Sequence, residues 1–256
     1  MTATGSIIIV RHGRTAFNAT GRLQGRADNP LDEVGVLQAE RVAHHVAPEL
    51  DADSLIVCSP LIRARATAEA IATLCGADVV IDERWIELDY GSYEGRPQSD
   101  IPVEVWKQWR GDNNFAAPNG ESLNQVHARV TAACEDLAAQ LAGRTAVVVT
   151  HVSPIKSAMA WALGVDVGVG WRSHLDTASI TRIGVTPRGP ALRSFNETAR
   201  GSTGQAENFL GNMGLRVPLA KLNSSHTCAR IKGIPCLKQS LSLPPAVRLV
   251  EPIKVH

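Results

Sequence analysis

Four short apolar runs rich in β-branched residues punctuate the first 150 positions: SIIIV at 6–10, SLIVC at 54–58, ADVVI at 77–81 and TAVVVT at 145–150. Runs of this length predict strands buried on both faces. Between them the spacing becomes helical. Ala39, Val42, Ala43 and Val46 share one face of a helix predicted over 34–47. A second helix is predicted over 60–75, with Ser59 as N-cap and Pro60 in its first position. Val126, Val130, Cys134, Leu137 and Leu141 recur at helical spacing and predict a helix over 121–142. Ser153 and Pro154 repeat the cap-then-proline signal before a helix ending near Leu163, and two later strands are predicted at 178–184 and 191–195. This alternation predicts an α/β fold, a three-layer sandwich with a mostly parallel central sheet. The segment 96–120, with Trp106, Trp109, Pro118 and Gly120, breaks the pattern and predicts a short helix plus loop over one end of the sheet.

The pattern fades near residue 200, and the charge changes with it. Residues 201–256 hold seven Lys or Arg and two Asp or Glu, whereas residues 1–200 hold nineteen and twenty-three. We therefore expect one folded unit over 1–200 and a basic, poorly ordered C-terminal extension over 201–256. A basic tail can touch nucleic acid or anionic lipid, but a solvated extension is the simpler expectation. The whole chain has a formal net charge of only +1, so no global field marks it for nucleic acid or membrane. Nothing approaches the roughly 20 apolar residues of a membrane helix. Five cysteines without a close C-x-x-C pair and without a secretory leader suggest reduced thiols, hence a cytoplasmic protein with no metal and no cofactor.

Candidate chemistry gathers at the strand ends. The first strand runs into Arg11-His12-Gly13-Arg14-Thr15, the second into Cys58-Ser59-Pro60 with Arg63 one turn on, and the fourth into Thr150-His151-Val152-Ser153-Pro154. Open parallel sheets bind ligands beyond the carboxyl ends of their strands. Two histidines and two arginines thus converge on one rim, beside helix N-termini whose N–H groups favour anions. Phosphate suits such a set, because guanidinium offers planar paired donors. Gly13 is expected to let backbone approach the ligand closely.

These segments resemble the histidine phosphatase superfamily, also called phosphoglycerate-mutase-like, over about residues 6–198. The likeness rests on IIIVRHGRTAFNATGRLQGRADNPLDEVGVLQAE, SPLIRARATAEAI, ELDYGSYEG and VVVTHVSPIK, in the family's order. Among its members the sequence looks nearest to actinobacterial acid phosphatases of the alpha-ribazole phosphatase type, including the phosphatase half of bifunctional ribonuclease H/acid phosphatases. No ribonuclease H domain is recognised in the sequence. The resemblance implies a phosphohistidine nucleophile at His12 and a phosphate pocket of Arg11, Arg63 and His151. It also implies a proton donor at Glu87, with Asp89 as a weaker competitor, and secondary phosphate contacts from Thr15 and Asn18. Thr15 could equally be a local turn cap. Arg11 and Arg63 should keep His12 neutral, as a nucleophile requires. Val152 stands where many family members carry glycine. Its N–H is still expected to be available to phosphate, and its side chain could alter access to the site.

The implied activity is hydrolysis of a small phosphorylated metabolite. The alternatives are a phosphoglycerate mutase-type transfer and, in another class, a weakly catalytic phosphate-binding scaffold. Segment 96–120 carries Arg96, Lys107 and Arg110 but also Asp100, Glu104 and Asp112, which favours water as acceptor. Trp106 and Trp109 read as the packed face of a small helix. The natural substrate and the oligomeric state stay open at this point.

Overall fold

The computed structural model describes residues 4–199; the expected tail at 201–256 lies outside the described residues. In chain order the strands are β1 (Gly5–Arg11), β2 (Leu55–Cys58), β3 (Val79–Ile81), β4 (Thr145–Thr150), β5 (Ser179–Thr186) and β6 (Gly189–Thr198). The helices are α1 (Ala16–Ala19), α2 (Glu33–Val46), α3 (Ile62–Cys75), α4 (Val103–Gly111), α5 (Leu123–Gln140) and α6 (Val152–Leu163). One six-stranded sheet runs in the order β3-β2-β4-β1-β5-β6. β1 to β4 are mutually parallel, while β5 and β6 close one side antiparallel.

The strand pleat sorts the core into two layers. Ile7 and Ile9 of β1, with Ala146 and Val148 of β4, face one way and pack on Val126, Val130 and Cys134 of α5 and Ile155 and Ala158 of α6. Ile8, Val10, Val147 and Val149 face the other way, onto Val42 and Val46 of α2 and Ala64, Ala68 and Ile71 of α3. Consecutive side chains of a strand point to opposite faces, so a run such as IIIV is apolar throughout because both faces are covered. β3 differs: it lies at the sheet edge, where Val80 and Ile81 are exposed, so the expectation of burial on both faces fails there.

Segment 96–120 contains α4, and Trp109 is buried with Leu23, Ile101 and Ala117. Tyr90, Tyr93, Trp106 and Phe115 surround its ring edge-on or tilted, at centroid separations of 5.3 to 5.9 Å. Aromatic quadrupoles favour such arrangements over face-to-face stacking. The tryptophans are therefore the packed face of a small helix.

Two helix starts differ from the sequence expectation. α3 begins at Ile62, not at Pro60, and Leu61 is its N-cap. α6 begins at Val152, so Ser153 and Pro154 lie inside the first turn and His151 is the N-cap. Proline needs no N–H partner anywhere in a first turn, so the Ser-Pro pair marks a helix start only to within a few residues.

Candidate active site

Arg11 is the last residue of β1, and His12 follows it with its N–H on the Thr150 carbonyl (3.0 Å). His151 follows β4, and Arg63 lies in the first turn of α3. The sheet order places β4 between β1 and β2, which brings all four groups to one rim. The His12 and His151 ring centroids are 5.0 Å apart. His12, Arg63 and His151 are buried, and Arg11 is largely so.

Hydrogen bonding assigns the tautomer of His12. Its Nδ1 lies 2.7 Å from the Gly13 carbonyl oxygen. A carbonyl only accepts, so Nδ1 carries the proton and donates. Burial, followed by the charges of Arg63 and Arg11, pushes the His12 pKa well below the ordinary histidine value. The ring is therefore neutral, and Nε2 presents a free lone pair. His151 is likewise held well below the ordinary value by burial, then by Arg63. Its Nε2 lies 2.7 Å from the Ser59 hydroxyl. That oxygen also accepts from the Leu61 N–H (3.3 Å). The His151 Nδ1 is buried with no protein partner.

The guanidinium groups are fixed by carbonyls rather than carboxylates. Arg63 donates to the Ala27 (2.7 Å) and Gly25 (2.6 Å) oxygens. Glu94 holds that loop by accepting from the Gly25 and Ala27 N–H groups. Arg11 donates to the Leu175 carbonyl (2.6 Å). Burial lowers the Arg63 pKa to about 10, so it remains a cation at neutral pH. The Nε atoms of both arginines and the Nε2 of Gln24 are buried without protein partners. Buried donors are rarely left unpaired. Together with His151 Nδ1 they form a set suited to a multi-oxygen anion.

Glu87 is buried and accepts three backbone bonds: Oε1 from Leu88 (2.8 Å) and Ser153 (3.1 Å), Oε2 from Val152 (3.0 Å). It thereby caps α6 from 65 residues away in the chain. Val152 and Ser153 donate to it, and Pro154 has no N–H. The expected availability of the Val152 N–H to phosphate is thus overturned, because Glu87 occupies it. The N-terminus of α3 is similarly used, with Ile62 donating to Asp28 (2.7 Å). At the start of α6 the free helix N–H groups are thus occupied by Glu87. Asp89 accepts from Gly91 (2.8 Å) and pairs with Arg26 at 3.5 Å, and so belongs to a turn.

Thr15 is buried and caps α1, accepting from the Asn18 N–H. Its oxygen also lies 2.6 Å from Gln24 Oε1, which orients the Gln24 amide. Asn18 returns the cap by accepting from the Thr15 N–H (3.1 Å). Sequence reasoning reached both residues but missed that Thr15 serves Gln24. At Gly13 packing within the protein also requires glycine. A Cβ there would overlap the Gly35 carbonyl, and one on Gly35 would overlap that of Arg14. The glycines let α2 press directly on the loop carrying His12. Ser59, expected as a cap, instead orients His151.

Among the described residues, no helix is long and apolar enough to cross a membrane, and no cluster of His, Cys, Asp and Glu could hold a metal.

Bifunctional protein Rv2228c of Mycobacterium tuberculosis is 34% identical over 178 residues, covering 68% of this chain and 49% of that protein. The chain thus spans about half the length of this mycobacterial relative. A Yersinia pestis protein named probable phosphoglycerate mutase GpmB is 34% identical over 182 residues, covering 69% of this chain and 83% of that one. Mycobacterial glucosyl-3-phosphoglycerate phosphatase Rv2419c, solved with VO3, superposes with a TM-score of 0.70 at 28% identity, over 76% of this chain and 100% of that chain. Phosphoserine phosphatase of Entamoeba histolytica, solved with phosphoserine, gives 0.69 at 28% identity, over 75% and 97%. The histidine phosphatase superfamily (branch 1) matches residues 7–198, and the chain belongs to that superfamily.

Proposed function

We propose that this protein hydrolyses phosphate monoesters of small metabolites through a phosphohistidine on His12. The observation that carries this is the neutral His12, with Nδ1 tied to the Gly13 carbonyl and Nε2 left free beside two guanidinium groups and His151. Nε2 attacks phosphorus, and the bond from phosphorus to the ester oxygen breaks. Arg11, Arg63 and His151 hold the phosphoryl oxygens as charge spreads over them. Glu87 gives a proton to the leaving oxygen. Water then attacks the phosphohistidine, Glu87 takes its proton, and phosphate departs. Gln24, oriented by Thr15, and Asn18 assist in placing the phosphoryl group. Residues 1–200 form the catalytic unit, and 201–256 are an extension to it.

The mutase-named relative supports a second reading, transfer to another hydroxyl. Against it, Arg96, Lys107 and Arg110 are all exposed, Arg96 against Tyr93 and Arg110 against Trp106. They dress the outside of the aromatic cluster instead of enriching the pocket in charge. Intact Arg11, His12, Arg63, Glu87 and His151 speak against a scaffold without catalysis. The test is phosphate release across a panel of phosphorylated metabolites, with a phosphoglycerate mutase assay in parallel. Release from several esters with negligible mutase turnover is expected. Efficient mutase turnover with little release would overturn the proposal.

A further inference from the structure

The chain reaches Glu87 through a single 3-10 turn, Glu83–Trp85, and then runs without regular structure. Backbone carbonyls in such a stretch need partners from elsewhere. Four consecutive ones are met by side chains. Arg129 of α5 donates from Nη1 to the Arg84 (2.6 Å) and Ile86 (2.7 Å) oxygens, and from Nη2 to the Glu87 oxygen (3.3 Å). Thr150, the last residue of β4, donates to the Trp85 oxygen between them (2.5 Å).

Arg129 is fixed in turn by Glu121. Its Nε donates to Glu121 Oε1 and its Nη2 to Oε2, both at 2.9 Å. The five N–H groups of the guanidinium are thereby all engaged, three on carbonyls and two on the carboxylate. None is left for a substrate, and none goes to His12, Arg11, Arg63 or His151. The pair is largely shielded, with side-chain exposures of 17% and 12%. The Glu121 N–H donates to the Asp89 carbonyl (2.9 Å), which ties this carboxylate to the chain two residues beyond Glu87. The Glu87 carboxylate itself is held by the N–H groups of Leu88, Val152 and Ser153. Its backbone thus answers to α5, and its carboxylate largely to α6.

We infer that Arg129, braced by Glu121, is a positioning residue that sets where Glu87 delivers its proton. The inference rests on the phosphomonoesterase reading above, in which Glu87 protonates the leaving oxygen. A proton donor must lie within hydrogen-bond reach of that oxygen, and a misplacement of about 1 Å can cost on the order of 10²-fold in rate. Lysine at 129 keeps the charge but has one nitrogen, which cannot span three carbonyls and a carboxylate.

The experiment measures kcat/KM for p-nitrophenyl phosphate and phenyl phosphate in full-length wild type, R129K, E121Q, E87Q and E87Q/R129K. Nitrophenolate departs with little help from an acid and phenolate needs it, so the ratio of the two constants reads proton delivery. A merely structural loss lowers the fraction of competent enzyme, which cancels in the ratio. R129K should raise the ratio at least about tenfold, the size of a lost charge-assisted contact. E121Q, whose amide keeps one acceptor, should raise it at least about threefold. Adding R129K to E87Q should change it by less than about twofold, because both residues act through the same proton. A ratio within about twofold of wild type in R129K (or in E121Q, should R129K not fold), while E87Q raises it, would overturn this inference alone. So would an R129K effect as large in the E87Q background as in wild type. An E87Q ratio equal to that of wild type would overturn the acid role of Glu87 and the inference with it.

Discussion

Two buried neutral histidines make this protein acid-sensitive in a calculable way. His12 and His151 are neutral when folded, because burial and neighbouring cations hold their pKa values well below the usual range. In the unfolded chain each takes up a proton near pH 6.5. Below that pH the unfolded state binds more protons, so stability falls as pH falls. Each group contributes about 1.4 kcal/mol per pH unit for as long as it stays neutral when folded, or about 2.7 kcal/mol for the pair. For a domain of this size that is roughly 5–10 °C in Tm per unit. Arg63, at about 10, keeps its charge throughout and maintains the repulsion. The measurement is urea unfolding of wild type and of H12N/H151N between pH 7 and pH 5. Wild type should lose stability more steeply below pH 6.5, by up to that pairwise slope, and saturating phosphate should flatten the difference by giving imidazolium a partner. Parallel curves for the two proteins would refute the assignment of neutral, buried rings.

Other consequences are narrower. Gly35→Ala should cost about 1–3 kcal/mol in chemical denaturation, because its Cβ has no room against the Arg14 carbonyl; a neutral result would remove the packing reason for the Gly13–Gly35 contact. Glu87→Gln should slow phenyl phosphate far more than p-nitrophenyl phosphate, whose leaving group needs less protonation; equal losses would move the acid role elsewhere. It should also lower Tm modestly, since an amide cannot accept all three N–H groups. Truncation after Arg200 should leave Tm and kcat nearly unchanged, and a large drop in either would show that residues 201–256 belong to the folded unit.

The sandwich was legible because both faces of β1 and β4 are covered, which writes IIIV and AVVV into the chain as unbroken apolar runs. Helix faces such as Val42 and Val46, or Val126 and Val130, were equally plain. The convergence of Arg11, His12, Arg63 and His151 followed from their positions at parallel strand ends. What could not be read was any partnership across the chain. The Ser-Pro pairs at 59 and 153 look alike, yet one precedes its helix and the other lies within it. The difference arises because Glu87 caps α6 and Ser59 is drawn to His151. Gly13 suggested close backbone approach, and the approach of Gly35 to it is a contact that local sequence does not encode. The bond from Thr15 to Gln24, nine residues on, was likewise invisible in the hydrophobic pattern.

The most direct measurement is rapid-quench trapping of the enzyme during turnover of ³²P-labelled ester, followed by mass spectrometry of the labelled peptide. An acid-labile, base-stable phosphoryl group on His12, absent from H12N, is the expected outcome. Label on another residue, or undiminished turnover in H12N, would contradict the account at its centre.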